Sequence, residues 1–113
     1  MPISPLMQGR IAALDDIEEE QVPSGLGPVV DAHVHVFPDG IFKAVWHWFG
    51  EYGWPIRYPL GSKDLIGFLL EHGVSHIVAL QYAHKPGIAR ELNEYMAALC
   101  RHFPGRVTGM ATV

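Results

Sequence analysis

The fold of this chain is decided by residues 29–38, which read VVDAHVHVFP. β-branched residues favour strands, and successive residues of a strand point to opposite faces. The pattern therefore predicts a buried strand with three polar side chains on one face: Asp31, His33 and His35. The other face would carry alanine and valine.

His33 and His35 have the spacing of a metal-binding pair. Positions two apart on a strand are roughly 6.6–6.8 Å from each other, and zinc-like ions hold imidazole nitrogens at about 2.0–2.1 Å. Two such rings can lean toward one ion. Ordinary strand-end histidines, each bonded to a neighbour, are the alternative. Because the pair stands in a valine-rich run directly before Pro38-Asp39-Gly40, we predict that both histidines are metal ligands.

The composition is typical of a small globular domain and shows no charge pattern for binding nucleic acid or a membrane. The 113 residues are 49% hydrophobic and 18% charged, with a net charge of -4 and five of the twelve acids between Asp15 and Glu20. The remaining chain is nearly neutral, so neither nucleic acid nor a membrane is expected as a partner. A single cysteine, no secretory signal and no apolar run of about 18–20 residues favour a soluble, cytoplasmic protein.

The order of the predicted elements indicates an α/β fold. Residues 1–27 are predicted to form a leader with a short helix over about 10–20, and residues 28–113 to form the body. In the body, strands at 29–37, 74–80 and 107–113 alternate with helices at about 40–52, 62–72 and 88–102. Ser62 is the expected N-cap of the second body helix, and Gly73 its stop. Such alternation is typical of a parallel sheet with crossover helices.

Three features are expected at one edge of that sheet. Parallel α/β sheets bind their ligands at the carboxyl ends of the strands. There we expect the histidine pair, the loop from Tyr82 to His84, and an aromatic insertion at 41–54 that holds all three tryptophans. The insertion reads either as a wall over a site or as core packing. His47 within it is expected to be exposed or packed and not a ligand.

The motif VDAHVHVF at 30–37 resembles the first strand of the amidohydrolase superfamily, in particular its amidohydrolase-related (amidohydrolase 2) branch. Two later segments are similar to the second- and third-strand regions of that branch: QYAHKPG at 81–87 and PGRVTGMATV at 104–113. The resemblance spans about residues 28–113. It implies a (β/α)₈ barrel, here a partial TIM barrel that comprises the first three parallel strands with their crossover helices.

The resemblance also implies a divalent metal ion, with zinc expected, held in part by His33 and His35. Family members hydrolyse amide or ester bonds, or decarboxylate acids, with metal-activated water and a carboxylate that takes up its proton. Their further histidine ligands and catalytic Asp come from later strands. Asp31 lies too deep in the strand to replace that Asp, and a buried polar or supporting role is expected for it.

A barrel of this type needs roughly 250 residues, so the resemblance predicts a truncated hydrolase whose 113 residues alone are inactive and bind metal weakly. No catalytic residue is assigned within the chain, and a small-molecule substrate is expected only for the full-length form. Two alternatives stay open: a fragment of a PHP-type phosphoesterase, which Val36-Phe37-Pro38 fits less well, and a non-catalytic interaction module. An incomplete barrel could also self-associate through its open sheet edge.

Overall fold

The computed structural model describes residues 20–113, which form a three-stranded sheet with helices. The helix predicted over about 10–20 lies outside the described residues but for its last position. In chain order the elements are β1 (Val30–His35), α1 (Asp39–Tyr52), α2 (Ser62–Glu71), β2 (His76–Leu80), α3 (Ala89–His102) and β3 (Val107–Gly109).

The sheet is parallel, with the strand order β1-β2-β3. Two helices connect β1 to β2, and α3 connects β2 to β3. This confirms the predicted α/β class and the parallel sheet with intervening helices. Each predicted helix of the body is present within about a residue of its expected bounds. Among residues 20–113, no helix is long and apolar enough to cross a membrane.

The two ends of α2 differ in how well the sequence predicted them. Gly73 follows the last helical turn with φ +99°, and the N–H groups of Gly73 and Val74 bond to the carbonyls of Leu70 and Leu69. This is a Schellman closure, so the predicted stop is confirmed. The N-cap prediction is wrong: Gly61 occupies the cap, and Ser62 lies within the helix with its hydroxyl bound elsewhere.

The third strand is shorter than predicted. It covers Val107–Gly109 where the pattern extends to residue 113. Asn93 of α3 explains the difference, because its amide captures the backbone of Thr112: Asn93 Nδ2 donates to the Thr112 carbonyl at 2.9 Å, and the Thr112 N–H donates to Asn93 Oδ1 at 2.8 Å. These bonds hold Thr112 against α3, while the Met110 N–H still donates to the Ala79 carbonyl of β2, so the regular strand ends at Gly109.

A bulge interrupts β1 between Asp31 and Val34. Asp31 pairs with Ile77 and Val34 pairs with Ala79, so β1 contains one residue more than its partner over this span. Partners in a parallel ladder point to the same face, so the extra residue breaks the two-residue alternation. The prediction that Asp31 shares a face with His33 and His35 is therefore wrong, and Ala32, expected on the buried face, is exposed.

The core lies between one face of the sheet and the helices α2 and α3. It consists of aliphatic residues from the sheet, its flanking loops and both helices: Val34, Val36, Ile66, Val74, Ile77, Ala79, Met96, Leu99 and Val107. By alternation along the strands, Val30 and Met110 lie on the other face, where they are 53% and 48% exposed. The helix layer therefore covers one side of the sheet within the described part of the chain.

Candidate metal centre and its aromatic wall

The two predicted ligands converge at the carboxyl end of β1. The Nε2 atoms of His33 and His35 are 3.1 Å apart, within hydrogen-bonding distance when one of them carries a proton. Their rings meet edge to face, with centroids 4.9 Å apart. Between them Val34 points into the core and is 6% exposed. Downstream of the bulge the strand alternates as predicted, and this alternation brings both imidazoles together.

Aromatic side chains hold the ring of His35. Phe37 lies parallel to it at 6.3 Å between centroids, and Tyr82 meets it edge-on at 5.8 Å. Partial burial lowers the pKa of His35 below its ordinary value of 6.5, and the neighbouring His33 lowers it further. The lowered pKa favours the neutral form of His35 at pH 7, which is the state in which an imidazole nitrogen has a lone pair for a metal.

The carboxylate of Asp31 accepts a hydrogen bond from the backbone of the histidine pair. Its Oδ1 accepts the N–H of His33 at 3.2 Å across the bulge. Because the bulge takes this N–H out of the regular ladder, the carboxylate supplies a partner for it. This contact fits the supporting role predicted for Asp31 and places the carboxylate against main chain, not against the imidazole nitrogens.

The two histidines could supply two of the four ligands of a tetrahedral zinc ion. Two imidazole nitrogens bound to one tetrahedral zinc ion at about 2.0–2.1 Å are about 3.3 Å apart, close to the 3.1 Å between the Nε2 atoms of His33 and His35. A catalytic zinc ion usually has three protein ligands. Within residues 20–113, no group of three or more His, Cys, Asp or Glu side chains is placed to hold an ion.

An apolar cavity of about 380 Å³ opens beside His35. The insertion at 41–54 supplies five of the twelve residues that line it, which agrees with the first of the two interpretations of this segment, a wall over a site. Trp46 is half-buried and stacks on Phe42 with centroids 5.1 Å apart. Trp48 and Trp54 are 53% and 60% exposed, so core packing does not account for all three tryptophans.

The loop after β2 reaches the same edge through Tyr82, which contacts both His35 and Phe37. His84, further along that loop, is exposed and lines a groove together with residues of α1. His47 is also exposed, and its Nε2 lies 3.2 Å from Glu51 Oε1. The structure therefore joins the pair, the insertion and Tyr82 at one site, while His47 belongs to the outer surface of α1.

Ser62 is a contributor to the site that the sequence did not reveal. The residue is 1% exposed, and its hydroxyl accepts the N–H of Phe37 at 3.1 Å and donates to the carbonyl of Phe37 at 2.8 Å. Both backbone groups of the residue that stacks on His35 are thereby satisfied. The signal in sequence, a serine at a helix start, indicates a cap as readily as this long-range contact.

Replacing Ser62 with alanine should lower the free energy of unfolding by about 1–3 kcal/mol, because two buried backbone groups of Phe37 lose their partner. Urea unfolding at neutral pH measures the change. Ser24→Ala, at an exposed turn, is the matched control and should change stability by less than about 0.5 kcal/mol. Equal stabilities for the two variants would contradict the bonding to Phe37.

The described chain is thus an α/β unit whose parallel strands end at a histidine pair under an aromatic wall. No protein-family model, no curated protein and no solved structure matches the sequence or the fold. The geometry of the site and the first-strand motif are the features of the chain that bear on its function.

Proposed function

We propose that this chain is the N-terminal part of a metal-dependent hydrolase of the amidohydrolase type, with β1 to β3 as the first three strands of a (β/α)₈ barrel. The observation that carries the proposal is the convergence of the His33 and His35 Nε2 atoms, 3.1 Å apart, at the carboxyl end of the first parallel strand. Active sites of such barrels lie at this end of the strands.

In this function His33 and His35 hold one divalent ion, with zinc as the expected metal. When bound, such an ion supplies Lewis acidity and lowers the pKa of a water ligand toward about 7. The chain's own groups prepare the ligands: Asp31 anchors the backbone of His33, while Phe37 and Tyr82 fix the ring of His35. The aromatic side chains of the insertion line the cavity on the His35 side of the pair.

The reaction class is hydrolysis of an amide or ester bond, or decarboxylation, of a small-molecule substrate. Both reactions need a further carboxylate to move the proton, and the first-strand resemblance assigns it to a later strand. Residues 20–113 are proposed to supply two ligands and one wall of the site, with no acid–base residue among them.

Zinc titration of the nitrogen-labelled chain tests the proposal. The ring-nitrogen NMR signals of all seven histidines report on binding at once. We expect His33 and His35 to shift together, at a lower zinc concentration than the exposed imidazoles of His47, His84 and His102. The reason is that two imidazoles on one strand chelate an ion, whereas a lone surface histidine offers a single nitrogen.

Two results would count against the metal site. Zinc could shift all histidine rings over the same concentration range, or it could shift His33 and His35 at different concentrations. Either result would leave the interaction-module hypothesis as the better account of the chain. Acid-induced shifts in a chelator-treated sample provide the control for protonation.

A further inference from the structure

Two apolar concavities meet beside the histidine pair. The cavity of about 380 Å³ is bounded by His35 and Phe37 on the sheet side and by Trp46 and Trp54 on the other. A second concavity, a groove of about 610 Å³, runs along α1 and is lined by Ala44, Trp48 and His84 among others. The cavity and the groove share three residues: Val45, Phe49 and Tyr82.

Tyr82 differs from the other two shared residues in origin. Val45 and Phe49 belong to α1, whereas Tyr82 comes from the loop after β2 and faces the helix across the opening. Its ring is braced by two edge-to-face contacts, with His35 at 5.8 Å and with Phe37 at 5.1 Å. It nevertheless stays 46% exposed, so a core-packing role alone does not account for its position.

From this arrangement we infer that Tyr82 is the specificity-determining residue of the site: its ring separates the cavity from the groove and limits the apolar group that the site accepts. The cavity is lined mostly by aromatic and aliphatic side chains, so a flat apolar ring system is the kind of group that suits it. A ring system that extends beyond the cavity on the Tyr82 side would have to enter the groove along α1. The role in substrate selection rests on the proposed metal-dependent function.

Neutral aromatic probes test the size limit without a metal. Naphthalenemethanol and pyrenemethanol carry the same hydroxymethyl group on ring systems of different length. They are titrated into the labelled full chain in the presence of EDTA, so a failure of the zinc proposal leaves the result unaffected. The tryptophan indole N–H signals report the location, because Trp46 and Trp54 line the cavity and Trp48 lines the groove.

In the wild-type chain we expect naphthalenemethanol to shift the signals of Trp46 and Trp54, and pyrenemethanol to bind at least about tenfold more weakly. Tyr82→Ala should remove the partition and raise the affinity for pyrenemethanol at least about tenfold, with Trp48 now shifting as well. Tyr82→Phe keeps the ring and should retain the wild-type preference. If Tyr82 only supports the fold, Tyr82→Ala should weaken the binding of both probes by the same factor and leave the ratio of their affinities unchanged.

A change on the groove side gives an independent test. Ala44 lines the groove and not the cavity, so Ala44→Phe should leave naphthalenemethanol binding as in the wild type. Combined with Tyr82→Ala, it should cancel the gain in pyrenemethanol affinity. The inference is overturned if the ratio of the two affinities in Tyr82→Ala stays within about twofold of the wild-type ratio, or if naphthalenemethanol shifts Trp48 alone in the wild-type chain.

Discussion

Zinc should bind at least about tenfold more weakly when either His33 or His35 is replaced by alanine, a loss of about 1.4 kcal/mol or more. The two Nε2 atoms are 3.1 Å apart and share one point of convergence, so each single variant turns a chelate into a lone imidazole. In the variant that lacks both histidines, zinc should bind at β1 no more tightly than at the surface histidines. Calorimetric titration measures the affinity for zinc, and the NMR signals of the histidine rings show which histidines bind it.

Two control variants keep the comparison specific. His102→Ala and His47→Ala each remove an exposed imidazole away from the pair, and both should keep the wild-type affinity at β1. Equal losses from all four single variants would mean that zinc binds diffusely to the surface. A loss confined to His35→Ala would show that the pair does not act as one site.

Replacing Ile77 with alanine should lower the free energy of unfolding by about 2–5 kcal/mol. Ile77 is fully buried in the central strand and belongs to the core between the sheet and the helices α2 and α3. Its removal therefore leaves a cavity that strands on both sides hold open. Urea unfolding followed by circular dichroism gives the difference.

Val30→Ala is the matched change on the uncovered face of the sheet. Val30 is 53% exposed, so its loss should alter stability by less than about 0.5 kcal/mol. A comparable destabilisation by both variants would mean that the uncovered face is buried in solution. A small effect of Ile77→Ala would contradict the position of the core.

The sequence predicted the elements of the fold well because their signals are local. The apolar stripes at helical spacing, the glycine at position 73 and the β-branched strands all act within a few residues. The predictions were wrong where a contact with a residue far away in the sequence determines the local structure. The hydroxyl of Ser62 is taken by Phe37, 25 positions away, and Asn93 ends β3 by capturing Thr112. Neither partner can be read from the local pattern.

The candidate site was predictable in part for the same reason. His33 and His35 meet because residues two apart on a strand share a face, which is a property of the strand alone. The position of Asp31 depended on a bulge that only the pairing with β2 reveals. The contact of Tyr82 with His35 requires the loop after β2 to turn toward α1, and a lone tyrosine in a loop does not carry that information.

The bulge in β1 also bears on how such a sequence can change over evolution. Val34 and Val36, both buried, fix the orientation of the strand segment that carries the imidazoles, while the extra residue lies before them. An inserted or deleted residue upstream can be taken up at the bulge without turning the histidines toward the core. An insertion or deletion between His33 and Val36 would reverse the alternation, so that an imidazole would take the place of a valine on the buried face. Length variation should therefore be tolerated on one side of the motif and eliminated on the other.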